Sequence, residues 1–145
     1  MMALEQQTPT AAHWTQPQYD SLFEPATEQA SQRFAWVAED QAEAEDRATP
    51  IVGFSVAHKI DDEWELENIV VSAASRRHGV ATRLLAALIE HARSAESRRI
   101  FLEVRESNHG ARVLYRKAGF DEAGLRKNYY KDPVEDAILY RRSLS

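Results

Sequence analysis

The sequence predicts an α+β domain built on a mixed, mostly antiparallel sheet flanked by helices. Three observations lead there. Six segments read as strands, at residues 33–38, 50–60, 64–72, 99–105, 120–130 and 136–142. Between the third and fourth lies a strongly amphipathic stretch with Val80, Leu84, Leu85, Leu88, Ile89 and Ala92 on one helical stripe. The 145 residues, 43% of them hydrophobic, suffice for one domain with a core of its own, expected to span residues 1–145.

Residues 1–13 are polar with little periodicity. Thr15 is placed to cap a short helix, with Pro17 in its first turn and Tyr19, Leu22 and Phe23 on its apolar side. Pro25 breaks that pattern, and a second short helical piece follows Thr27. Arg33 to Ala38 is rich in aromatic and β-branched residues and reads as a strand, and the acidic residues 39–49 read as a solvated hairpin loop. Pro50 to Ile60 and Trp64 to Ser72 form the next two strands, turned at Asp61 and Asp62. The helix runs from Val80 to about Ser94. In the strand Arg99 to Arg105, Ile100, Leu102 and Val104 face one side, Phe101 and Glu103 the other. Asn108 caps a further helix with Ala111, Leu114, Tyr115 and Ala118 on its buried face, ended by Gly119 in a left-handed conformation. Two closing strands meet at a turn near Pro133.

Composition excludes several classes of function. There is no cysteine, hence no disulfide, thiolate zinc site or cysteine nucleophile, and a reducing, cytoplasmic setting is expected. No apolar run approaches the roughly 20 residues of a membrane span, and MMALEQQTPT has no basic segment leading into an apolar core. His13, His58, His91 and His109 show no ligand spacing, so no metal is expected. The basic residues form no stripe with interleaved aromatics, so no direct nucleic-acid partner is expected. The net charge of −5 is unevenly spread: residues 1–50 hold nine acids and two bases, residues 51–145 hold 14 acids and 16 bases.

The densest chemistry lies at residues 69–85. Arg76-Arg77-His78-Gly79-Val80-Ala81 joins an apolar strand to the strong helix. Gly79 lets the backbone turn tightly, and the helix start offers free N–H groups and a positive dipole end to an anion such as a pyrophosphate. Arg76, Arg77, His78, Thr82 and Arg83 surround it with donors. A βα turn with a solvated basic face accounts for the same residues equally well. The Gly-Lys-Ser/Thr ending of a nucleotide P-loop is missing.

Arg76-x-x-Gly79-x-Ala81 resembles the acetyl-CoA loop of the GNAT superfamily of N-acetyltransferases. Asn68-Ile69-Val70-Val71, Leu102-Glu103-Val104-Arg105, Ser107-Asn108, Leu114-Tyr115, Gly119-Phe120, Arg126-Lys127-Asn128-Tyr129-Tyr130 and Glu135-Asp136-Ala137 resemble its RimI-like, ribosomal-protein-alanine branch. The likeness covers about residues 12–142, with Arg76 where that branch often has Gln and Ala81 where many members have Gly. Ala3-Leu4-Glu5 resembles the end of the family's first helix, so the first strand and most of that helix are expected to be lacking. A sheet edge left unpaired there would favour dimerisation.

The resemblance implies acetyl-CoA as co-substrate and an amine as acceptor. Ile69, Val70 and Val71 would present backbone groups at a bulge, and Arg76, Arg77, His78, Gly79, Val80, Ala81, Thr82 and Asn108 would bind the cofactor. Asn108 reads equally as a helix cap. Glu103, on a hydrophobic strand beside Phe101, is the candidate base, its pKa expected to rise on burial; the alternative is a structural carboxylate paired with Arg105 or a backbone amide. Tyr115 is the candidate acid, with a core tyrosine as the alternative. Asn68, Tyr129 and Tyr130 are candidates for the acceptor channel, the tyrosines reading equally as ordinary strand aromatics. Glu65 and Glu67 beside Asn68 would attract a cationic N-terminus, or simply form a solvated strand face. The implied activity is acetylation of a protein N-terminal amine, that of a small-subunit ribosomal protein beginning with alanine. A small-molecule amine, other protein N-termini, or an inactive acetyl-CoA-binding module are the alternatives.

Overall fold

The computed structural model describes residues 32–40 and 50–144. Strands β1 (Gln32–Glu39), β2 (Ile51–Ile60) and β3 (Glu63–Val71) are followed by helix α1 (Val80–Ser94), β4 (Arg99–Arg105), α2 (His109–Lys117), β5 (Asp121–Tyr130) and β6 (Glu135–Ser143). The strand order is β1-β2-β3-β4-β6-β5, parallel between β3 and β4 and antiparallel elsewhere. This is the mixed α+β sheet expected. The helical pieces expected after Thr15 and Thr27, and residues 41–49 of the acidic loop, lie outside the described residues.

Helix α1 forms because its six predicted stripe residues find a sheet to cover. Val80, Leu84, Leu85, Leu88, Ile89 and Ala92 are all buried, the last four in one cluster with Trp64 and Leu66 of β3 and Ile100 and Leu102 of β4, and Val80 and Leu84 over Gly53 of β2. Phe34, Trp36 and His91 close this core around Trp64, with ring centroids 5.1 to 6.3 Å apart. The buried Trp64 indole donates to Ser97 Oγ at 2.8 Å, fastening β3 to the turn after α1. In α2 only Tyr115 is fully buried; Ala111, Leu114 and Ala118 are partly covered.

Two irregularities shape the centre. The parallel pairing of β3 with β4 runs only from Glu63 opposite Arg99 to Leu66 opposite Leu102. Beyond those pairs the two strands part, leaving a wedge between Glu67–Val71 and Glu103–Arg105. On its other side β3 pairs with β2 in two runs offset by one residue, and Glu67 is the residue without a partner there. Such an extra residue reverses which face the following side chains take. Trp64 and Leu66 face α1 before the bulge, and Ile69 packs against that core after it. Asn68 and Val70, opposite Val56 and Phe54, turn to the other face. Gly53 completes the arrangement: a Cβ there would stand 2.9 Å from the Val70 carbonyl oxygen, so only glycine lets β2 lie this close.

Replacing Ser97 by Ala should leave the Trp64 indole N–H buried and unpaired. A loss of about 1–3 kcal/mol is expected, read as a lower urea midpoint at constant slope.

Candidate active site

The loop between β3 and α1 has the form its sequence suggested. After a short 3₁₀ turn at Ala73–Ser75, Arg76 is extended, and its Nε donates to the Val71 carbonyl at 3.3 Å. Arg77 and Gly79 both take positive φ, +64° and +75°. Open space surrounds Gly79, so glycine is needed there for its backbone angle and not to avoid a neighbour. Gly79 is the N-cap of α1, with no side chain capping the helix. Arg83 N–H makes the first helical bond, to Gly79 at 3.0 Å. The amides of Val80, Ala81 and Thr82 therefore have no acceptor within the helix, and the dipole adds positive potential. Arg76, Arg77 and His78 are exposed around this end. Asn108 caps α2, its Oδ1 accepting from Ala111 N–H at 3.2 Å.

Glu103 is the first residue of β4 past the last pair with β3, and Glu67 is its counterpart on β3. Both stand on the sheet face away from α1 and α2, with Glu65. Glu103 is 12% exposed and pairs with Arg126 of β5 at 2.9 Å. The structural-carboxylate alternative named Arg105 or a backbone amide as partner; Arg105 is instead drawn to Glu135 at 3.5 Å and stacks 4.2 Å from the Tyr130 ring centre. Glu67 is held by Arg33 through two hydrogen bonds, 3.0 and 3.2 Å. Glu65 makes no hydrogen bond or ion pair among the described residues. Burial raises its carboxyl pKa, and the charges of Glu67 and Glu103 push the same way, while Arg126 and Arg33 pull it back.

A second bulge brings the β5 side chains here. The β5–β6 register slips between Arg126 and Tyr130, where Asn128 has φ +52° and its N–H donates to Asp136 Oδ1 at 2.8 Å. Tyr129 and Tyr130 meet edge to face at 5.1 Å. Burial raises the Tyr129 pKa, with Glu103 adding to it by charge and by accepting its hydroxyl. Burial, then Tyr129 and Glu103, push Tyr130 up to about 12 against the pull of Arg105.

Tyr115 lies on the helical face. Its ring is 6.0 Å from both Phe120 and Tyr140, and Tyr140 is opposite Leu102, the last β4 residue paired with β3. Burial pushes its pKa well above the usual tyrosine value, Tyr130 adding to the effect. Glu103 and Tyr115 thus stand on opposite faces of the sheet, Tyr115 in the core beneath Tyr140. Sequence reading did not single out Arg126, whose role depends on the Asn128 bulge, or the convergence of His58 with Glu65 and Glu67. Ligand-type atoms of these three lie within 4.8 Å of one another although the residues carry no motif spacing. Burial holds His58 below its ordinary pKa, Glu67 opposing and Arg33 reinforcing that shift.

Unfolded tyrosine ionises near pH 10, whereas Tyr115 and Tyr130 keep their protons to higher pH in the fold. The folded state then binds more protons than the unfolded one, so this contribution is complete below pH 10 and is lost as pH rises further. Urea unfolding at pH 10 and 11 should show falling stability, and Tyr115→Phe should soften that fall by roughly 1 kcal/mol.

Residues 1–120 match the family model described as the acetyltransferase (GNAT) family. The chain is 41% identical over 92 residues to the ribosomal protein bS18-alanine N-acetyltransferase of Haemophilus influenzae, covering 61% of this chain and 62% of that protein. It is 37% identical over 97 residues to the Escherichia coli protein of the same name, covering 66% of each. The chain thus spans less than two thirds of the length of these relatives. The crystal structure of the ribosomal-protein-S18-alanine N-acetyltransferase from Escherichia coli superposes with a TM-score of 0.75 at 29% identity, over 99% of this chain and 85% of that one. Nourseothricin acetyltransferase gives 0.67 at 25% identity, over 78% and 66%. With the parted parallel strands, the glycine loop and the family match over residues 1–120, this chain belongs to the acetyltransferase (GNAT) family.

Proposed function

We propose that the chain is an acetyl-CoA-dependent N-acetyltransferase whose acceptor is a protein N-terminal amine, that of a small-subunit ribosomal protein beginning with alanine. The observation that carries the reading is the parting of β3 and β4 beside the carboxylate Glu103, with the buried Tyr115 packed near Tyr140 on the helical face. The names of the curated relatives support the acceptor class.

Each residue then has a physical task. The amides of Val80, Ala81 and Thr82, with Arg76, Arg77, His78 and Gly79, hold the pyrophosphate of CoA. Main-chain groups of Ile69, Val70 and Val71 line the wedge, where β4 no longer takes their hydrogen bonds, and orient the pantetheine arm and thioester carbonyl. Asn108 keeps its cap and borders the same arm. An α-amine has a pKa of about 7.7–8 and must lose a proton to attack; Glu103 accepts that proton. Tyr115 gives its proton to the departing thiolate, which a buried phenol can do because it stays protonated at neutral pH. Asn68, Tyr129 and Tyr130 border the acceptor's path. Attack is direct, since the chain has no cysteine to carry an acyl group.

A second reading, acetylation of a small-molecule amine, draws support from the likeness to nourseothricin acetyltransferase. Turnover of acetyl-CoA on peptides with different N-termini, alanine included, against a set of polyamines separates the two. Turnover on alanine-initiated peptides is expected. Preference for polyamines would favour the second reading, and acetyl-CoA binding with no turnover on either set would point to an inactive module. Glu103→Gln should lower kcat by about 10²–10⁴-fold while calorimetry shows acetyl-CoA still bound. Tyr115→Phe should slow release of free thiol, and full activity in that variant would leave the residue a packing role only.

A further inference from the structure

On the face that carries Glu103, each of two carboxylates has its own arginine, but the two pairs are built differently. Arg33 grips Glu67 with two hydrogen bonds, and its side chain is 38% exposed. Arg126 meets Glu103 through an ion-pair contact of 2.9 Å, and its side chain is 61% exposed, against 12% for Glu103. The open side of the carboxylate is therefore covered by a cation standing mostly in water. That cation has a second surface beside it: its guanidinium carbon lies 5.7 Å from the centre of the Tyr129 ring, within cation–π range. The bulge at Asn128, tied to Asp136, sets both side chains over β4.

We propose that Arg126 is a displaceable counter-ion that closes Glu103 until the ammonium group of an acceptor takes its place, which makes it a specificity-determining residue for the acceptor. The inference rests on the function proposed above. In the free protein Arg126 neutralises Glu103. When the acceptor arrives, one cation leaves and another enters, so the carboxylate is never stripped of a partner in a half-buried site. The arginine withdraws onto the Tyr129 ring and into solvent. Glu65, whose side chain makes no hydrogen bond or ion pair among the described residues, and Glu67, on the same face, supply the negative field that draws the ammonium in. A neutral group has no such means of displacing the guanidinium, so Arg126 favours acceptors that arrive charged. Only the arginine side of this single-contact pair stands in water, and a buried carboxylate is costly to leave without a cation, so the exchange proceeds by replacement of one cation by another.

The test compares wild type with Arg126→Gln and Arg126→Lys on an alanine-initiated peptide at low and high salt. Removing the competitor should lower the acceptor KM about three- to tenfold at low salt, with kcat changing less than KM; the order of magnitude follows from one unit charge a few ångströms away in a partly screened site. Lysine should restore the wild-type KM, and the difference should shrink at high salt. A merely structural role predicts lower kcat and a lower melting temperature together, and Arg126→Met repeats the test if the glutamine variant is unstable. An unchanged or raised KM in a folded variant overturns the proposal. If wild type acetylates no peptide, the parent reading fails separately. Calorimetric binding of the peptide to CoA-loaded protein then decides this one: tighter binding to Arg126→Gln supports it and equal binding overturns it.

Discussion

Between Leu66 and Glu67 on β3, and between Leu102 and Glu103 on β4, the sheet stops being a sheet. Up to that point the two strands exchange parallel hydrogen bonds and share one core beneath α1. Beyond it their facing main-chain groups have each other no longer, and unpaired backbone polar groups seek a ligand or water. The rest of the site is arranged around this parting. The glycine loop and the start of α1 lie at the far end of β3, Asn108 and α2 at the far end of β4, and Glu103 stands at the point of parting. A closed parallel pair in the same place would leave α1 and its core intact while removing the opening between the strands.

Two bulges convert that opening into a site with distinct faces. The extra residue at Glu67 sends Asn68 and Val70 to one face and Ile69 to the other, so successive backbone groups along the wedge are presented differently from those below it. The slip around Asn128 swings Arg126, Tyr129 and Tyr130 across β6 toward β4. Each bulge has a local anchor, the close approach of Gly53 to the Val70 carbonyl in the first and the Asp136 carboxylate in the second. These two irregularities fall where a side chain or a main-chain group is aimed at the wedge, while the regular segments carry the core.

These differences govern what was legible in the amino-acid order. Helix α1 could be read to the residue because its six buried positions obey one period and pack against one surface. The strand Arg99–Arg105 was equally plain, its alternation matching its burial. The Gly79 loop was readable because a positive φ asks for glycine and the helix that follows is strong. The Glu103 environment was not readable. Its partner lies 23 positions away, on a strand that reaches it only through the Asn128 bulge, and neither Arg126 nor Asn128 carries a periodic signal. The meeting of Glu65, Glu67 and His58 was hidden for the same reason: cross-strand neighbours are set by register, and register here changes at a bulge.

The net charge of −5 argues against a polyanionic ligand only if charge is averaged over the chain. At the scale of a Debye length, about 8–10 Å, the average has no meaning. Around Gly79 the exposed groups are Arg76, Arg77 and His78 at the positive end of a helix. On the face of Glu103 the carboxylates of Glu65, Glu67 and Glu103 gather, Arg33 pairs with Glu67 and Arg126 with Glu103, and among the described residues the Glu65 side chain makes no hydrogen bond or ion pair. On the function proposed above, a phosphate-bearing donor would be drawn to the end of β3 and an ammonium-bearing acceptor to the face of Glu103, with the wedge between them. Opposed local fields of this kind do more than attract. In the proposed reaction they would keep each substrate out of the other's half, which is part of the orientation that makes a two-substrate reaction fast.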